Sequence, residues 1–120
     1  MNIEITTEDN VSIAELKADS IVINDVQDAL DILANAAYSG ASSLIIHQHN
    51  LTPDFFDLKT KVAGEILQKF STYNMPLAIV GDFSNFTSKS LHDFIYESNK
   101  GGKVNFVNTL EEAKQRLKRC

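Results

Sequence analysis

Two short, unbroken apolar runs, Ser43-Leu44-Ile45-Ile46-His47 and Leu77-Ala78-Ile79-Val80, narrow most sharply what this chain can fold into. A strand with one wet face alternates apolar and polar residues, whereas a strand apolar throughout is covered on both faces. Each run leads through turn-forming residues into a stretch of helical period, the pattern of parallel strands joined by crossover helices. Val104, Phe106 and Val107 supply a last strand of the same kind. Near the start, Ile3 and Ile5, then Val11 and Ile13, alternate with polar neighbours around Glu8-Asp9-Asn10, which reads as a β-hairpin. Ile21-Val22-Ile23 reads as a strand end leading into a helix.

Four helices are expected. The first is capped by Asn24 or Asp25, buries Val26, Ala29, Leu30, Leu33 and Ala37, and stops at Gly40. Its acids Asp25, Asp28 and Asp31 suit a solvated face near the positive end of the helix dipole. The second runs from Phe55 through Phe70 to about Tyr73-Asn74, with Asp57 as cap and Leu58, Val62, Ile66 and Phe70 as its buried stripe. Gly64 in its middle costs about 1 kcal/mol against Ala, so a close approach to the backbone is expected there. The third starts at Thr87 or Ser88, carries Leu91, Phe94 and Ile95, and ends at Gly101-Gly102. The last opens on a capping box, Thr109 to Glu112, with Leu110, Ala113 and Leu117 inward. Its bases Lys114, Arg116, Lys118 and Arg119 lie toward the C-terminal end, where the dipole favours them.

The expectation is therefore a single α/β domain over residues 1–120, with a mixed, mostly parallel sheet of about five strands, an N-terminal hairpin and about four helices. A chain of 120 residues buries roughly 65–70% of its unfolded surface, enough for a core without disulfide or metal. The net charge of −5 disfavours nucleic acid or anionic lipid as main partners. No apolar run approaches bilayer length, and Met1-Asn2-Ile3-Glu4 lacks the features of a signal peptide. The lone Cys120 excludes an internal disulfide and is a poor nucleophile candidate at a terminus. These features fit a cytoplasmic protein without membrane insertion.

In open sheets of this kind ligands gather beyond the carboxyl ends of the strands. His47-Gln48-His49-Asn50, Gly81-Asp82-Phe83 and Asn108 lie there, with the helix starts near Asp57 and Ser88 on the same side. Phe55, Phe56, Phe83 and Phe86 fall in the two loops of that rim: exposed, they form an apolar patch for a partner or small apolar ligand; folded inward, they plug the strand ends. His47 and His49, two apart on a strand, share a face, so both are candidates to hold an ion with Asp54 or Asp82, against the plainer reading as surface residues. Asp57, Glu65 and Asp82 are candidate bases, with Asp57 as a cap and Asp82 as a turn residue for the alternatives. Gly81-Asp82-Phe83-Ser84 lacks the glycines and lysine of a phosphate loop, while Ser88-Lys89-Ser90 is either a helix cap or an anion site. No Ser-His-Asp or Cys-His arrangement is apparent, and no cofactor is implied.

The element order resembles that of the STAS domains, the anti-sigma-factor-antagonist fold. In that family a regulatory Ser or Thr follows the central strand in an Asp-Ser-Ser/Thr-Gly context; this chain has Asp57-Leu58-Lys59-Thr60 there, with different spacing and no glycine. The Val80-Gly81-Asp82 strand end before a late helix is similar to the SpoIIAA-like family, which shares the STAS shape. A longer resemblance is carried by Asp25–Asp31, Phe55–Thr60, Ala63–Phe70, Val80–Ser84, Ser88–Leu91, Asp93–Asn99 and Thr109–Ala113, which look like the bacterial domain-of-unknown-function family DUF4180. That resemblance implies a short cytosolic bacterial protein and no set activity. The resulting expectation is a non-enzymatic, STAS-like module that binds a protein partner or assembles with itself through Phe55, Phe56, Asp57, Thr60, Asp82, Phe83, Phe86, Ser88 and Lys89. A small apolar ligand or lipid on the same rim is the alternative, and a hydrolase-type enzyme a third.

Overall fold

In a computed structural model of the chain, residues 1–118 are described; Arg119 and Cys120, assigned above to the last helix and to a terminal thiol, lie outside them. Strands β1 (Asn2–Glu8) and β2 (Val11–Lys17) form the N-terminal hairpin, followed by α1 (Val26–Tyr38), β3 (Ser43–His47), α2 (Val62–Thr72), β4 (Leu77–Val80), α3 (Lys89–Gly101), β5 (Val104–Val107) and α4 (Leu110–Lys118). The sheet runs β1-β2-β3-β4-β5; the first pair is antiparallel and the others parallel. This is the expected mixed α/β sheet.

Every parallel step moves one strand in the same direction, so right-handed crossovers must place α1, α2 and α3 on one face. The main core sits there: Leu44, Ile46, Leu77 and Ile79 of the sheet meet Ala29, Ile32, Ile66, Phe70 and Leu91 of the helices. Among the described residues the opposite face has α4 alone, whose Ala113 and Leu117 cover Ile13, Ile45, Ala78 and Val107. Sheet register sets the inner β3 and β4 residues side by side, Ile45 on Ala78 and Ile46 on Ile79, so both faces of these strands are dry and no polar alternation is possible.

The hairpin closes on two residues, Asp9 and Asn10, at φ of +51° and +66°, the left-handed pair that a two-residue loop needs and that Asp and Asn tolerate best. Asp25 caps α1 by accepting from the Asp28 amide, and Ser88 caps α3 through the Leu91 amide. The buried side of α1 is Ala29, Ile32, Leu33 and Ala36; Ala37 is exposed, because the helix turns its Ile32–Ala36 line to the sheet. At α4 the capping arrangement is displaced by one residue: Thr109 Oγ1 accepts from the Glu112 amide, but the Glu112 carboxylate reaches the Asn108 amide.

The long central helix is corrected. Residues 53–60 form two 3₁₀ turns, Pro53–Phe56 and Leu58–Thr60, and the α-helix begins only at Val62. Asp57 caps the second turn through the Lys59 amide, and Lys61 at φ +66° breaks the helical path before α2. Ile66 and Phe70 bury fully, whereas Leu58 and Val62 stay half-covered. The expected close approach at Gly64 is also absent: a Cβ built there meets nothing within 4 Å.

Two outcomes follow from this geometry. Gly64→Ala relieves the helical cost of glycine without a clash, so stability should rise by about 0.5–1 kcal/mol in urea titration. Glu8 and Asp9 at the hairpin tip both approach Lys118 of α4, at 2.5 and 3.7 Å. The Lys118 hydrogen bond, then its charge, holds the Glu8 carboxyl below the usual carboxylate range. The contact therefore stabilises the fold fully above the ordinary carboxylate pKa and loses that contribution as acidification carries the pH through the lowered value. In Lys118→Met the Glu8 titration, followed by NMR, should move back up.

Candidate functional site

The two loops at the carboxyl rim do converge. Phe56 stacks on Phe86 with ring centroids 4.9 Å apart and lies 6.0 Å from Phe83; Phe55 meets Phe56 edge-on at 5.0 Å, and Phe83 meets Phe106 edge-on at 5.4 Å. The rings point inward, however. Phe55, Phe56 and Phe83 are buried and only Phe86 is half-exposed, so they close the rim end of the main core and do not form an exposed aromatic patch. Burial of large rings beats their exposure here because the strand ends leave an apolar opening that nothing else fills.

The polar candidates mostly hold backbone. Thr60 Oγ1 donates to the carbonyls of Asp54 and Asp57 at 2.7 and 2.8 Å and accepts from the Val62 amide, locking both 3₁₀ turns to α2. Asp82 accepts from the Ser84 hydroxyl at 2.6 Å and from the Ser84 amide at 3.0 Å; the hydroxyl first and the amide second hold its carboxyl below the usual range. Ser88 is the α3 cap, and Lys89 is paired with Asp93 one turn on at 2.8 Å, which raises the Lys89 pKa through that hydrogen bond and charge. Glu65 sits exposed on α2.

His47 and His49 come together, but not with Asp54 or Asp82. Their rings stack at 5.5 Å. His47 Nε2 lies 2.7 Å from a carboxylate oxygen of Glu15, and His49 Nε2 lies 2.9 Å from the Ala18 carbonyl. Among the described residues no three His, Cys, Asp or Glu side chains converge as a metal site would require. Glu15, only 9% exposed, also has Lys17 Nζ at 3.6 Å. Residues Glu15, Lys17, Asp19, His47, His49 and Leu110 border an open groove of about 790 Å³ beside the start of α4.

Two residues already placed at the rim have roles that sequence reasoning missed. Asn50 is fully buried; its amide donates to the carbonyls of Ala18 and Ser20 at 3.0 Å, its side-chain oxygen accepts from the His47 amide, and its own carbonyl accepts from Val22 and Ile23. It thereby fastens the segment after β2 to the end of β3, which also forms the Ile23–Leu51 bridge. Gly81 leaves room for Gln48, whose side-chain oxygen accepts from the Asp82 amide at 3.0 Å; a Cβ on residue 81 would fall 2.4 Å from that oxygen and 2.6 Å from the Gln48 Cβ. The available signal for Glu15 was its place two residues after Ile13, on the inward side of β2. A buried Asn in a loop leaves no such mark.

Between these features lies a second, mainly apolar groove of about 510 Å³, lined by Ile21, Leu51, Pro53, Phe56, Val80 and Phe86, with Gln48, His49 and Gly81 at its border. Ile21 stands 43% exposed on its lip. At the amino ends of β4 and β5 a cleft of about 530 Å³ is bordered by Asn74, Lys103, Asn105 and Arg116. There Arg116 donates to the buried Asn105 side chain, which itself donates to the Leu77 and Gly102 carbonyls.

The family model for a domain of unknown function, DUF4180, matches residues 8–117. The chain belongs to that family. Comparison with curated proteins and with solved structures found no match. The match to DUF4180 thus spans the whole rim, α1 to α3 and all but the last residue of α4, from the hairpin tip to Leu117. Among the described residues no helix of this DUF4180 chain is long and apolar enough to cross a membrane.

Asn50→Ala would remove three hydrogen bonds, those to the Ala18 and Ser20 carbonyls and from the His47 amide, of which the Ala18 carbonyl keeps His49 Nε2, a loss of about 1–3 kcal/mol. Urea unfolding should show it, with the loss exceeding that of Gln48→Ala at the exposed border of the groove.

Proposed function

We propose that this DUF4180 chain is a non-enzymatic interaction module of a bacterial cytoplasm, STAS-like in role, that binds a protein partner or assembles with itself. The partner docks on the carboxyl rim. The supporting observation is the apolar groove of Ile21, Leu51, Pro53, Phe56, Val80 and Phe86, open to solvent and set among polar groups that already serve the protein's own backbone. An open apolar groove with an exposed Ile on its lip suits side chains of a partner chain. The strand order never reverses, so the fold lacks the switch-point crevice in which open sheets hold nucleotides.

A small apolar ligand on the same groove is the second reading, favoured by its volume of about 510 Å³, within the range of small-molecule sites. Both readings are tested by Ile21→Glu, which places a charge on the lip without entering the core. Thermal unfolding should be unchanged, while proteins or small molecules captured from native extract by the wild-type chain and identified by mass spectrometry should be lost. Capture that is the same for both chains removes the rim as working surface.

A further inference from the structure

We infer that β1 is the interface through which two copies of this chain pair, edge to edge, about a twofold axis at Ile5. This gives self-assembly a surface separate from the rim. Among the described residues β1 has β2 on one side and no strand on the other, and it pairs with β2 residue for residue over Asn2–Glu8 without a bulge. It carries neither Pro nor Lys, two of the means that blunt an exposed edge, and its only charges are Glu4 and Glu8.

The hairpin loop decides which groups face outward. Residues that flank a two-residue loop exchange both backbone hydrogen bonds, so Glu8 and Val11 do so here. Counting back by twos, Glu8, Thr6, Glu4 and Asn2 direct their main-chain groups at β2. Ile3, Ile5 and Thr7 then direct theirs away from the sheet. An antiparallel copy must pair these outward residues with one another, which leaves few registers.

With the axis at Ile5, Ile5 faces its own copy and Ile3 faces Thr7 of the second copy, making about six hydrogen bonds. On the other face Glu4 then opposes Thr6, and Glu8 opposes Asn2, so each acid meets a hydroxyl or amide donor. Sliding the axis to Glu4 sets Glu4 against Glu4. Sliding it to Thr6 sets Glu4 against Glu8 twice. Like charges directly opposite destabilise a ladder, so among the three registers that pair most of the strand the charge pattern favours Ile5; axes at Ile3 or Thr7 oppose no like charges but pair only one end of β1 and make fewer hydrogen bonds. Ile5, β-branched and 39% exposed in the single chain, would lie at the centre of the new seam.

The test uses the full chain. Sedimentation should show a dimer at tens of micromolar. Ile5→Lys, which sets two ammonium groups at the axis, and Thr6→Glu, which sets a carboxylate against Glu4, should each weaken it roughly tenfold or more. Adding Glu4→Lys to Thr6→Glu should restore the dimer by turning that pair attractive. Should a variant fail to fold, amide exchange in the wild-type chain still decides. The Ile3, Ile5 and Thr7 amides should be protected in a concentration-dependent way. A wild-type chain that stays monomeric, or a dimer in which those three amides exchange freely, overturns the inference. Ile21→Glu should leave the dimer intact, so failure of the rim reading and failure of this one are separable.

Discussion

Everything in this molecule hangs on the handedness of three crossovers. β2 through β5 step across the sheet in one direction, so the three connecting helices have to lie on one side. That side becomes the large core, filled by Ile66, Phe70, Leu91 and the inward side chains of β3 and β4. The other side receives only α4, after the last strand, and one short helix covers only part of a five-stranded sheet. The Glu15–His47 pair and its groove occupy the corner that α4 leaves open, and the unpaired outer edge of β1 borders the same hairpin.

The same one-way strand order shapes the rim. Without a reversal there is no natural crevice beyond the strand ends, and the exposed end of the large core has to be sealed by side chains. Phe55, Phe56 and Phe83 do this, linked ring to ring with Phe86 and Phe106. Around them the loops are held by few polar groups: Thr60 across both 3₁₀ turns, Asp82 on Ser84, Gln48 on the Asp82 amide beside Gly81, and Asn50 on the segment after β2. Of the grooves that remain open there, the one bounded by Ile21 and Phe86 is mainly apolar.

Much of the architecture was legible because burial and period are written directly in residue type. The continuous runs of β3 and β4 announced strands covered on both faces, and Asp9-Asn10 announced the hairpin. The convergence of the Phe55–Phe56 and Phe83–Phe86 loops was likewise readable, since both follow parallel strands that end at one edge. The central helix was overextended because Leu58 keeps the four-residue spacing of Val62, Ile66 and Phe70; the left-handed Lys61 that interrupts it has no compositional signature. The partners proposed for His47 and His49 were misplaced for a related reason. Asp82 is near in topology but turns back on its own loop, and the group that reaches His47 is Glu15, on the neighbouring strand.

By itself, then, the amino-acid order determined the elements, their sequence along the chain and the edge where the loops gather, since these depend on local spacing and on the hydrophobic pattern of each segment. Only the tertiary structure decided which way four phenylalanines face, which carboxylate a histidine meets and which asparagine holds the rim, because each of those outcomes depends on distances between segments thirty or so residues apart. A side chain's burial partner is a property of packed neighbours, and no periodicity along one strand or helix encodes it.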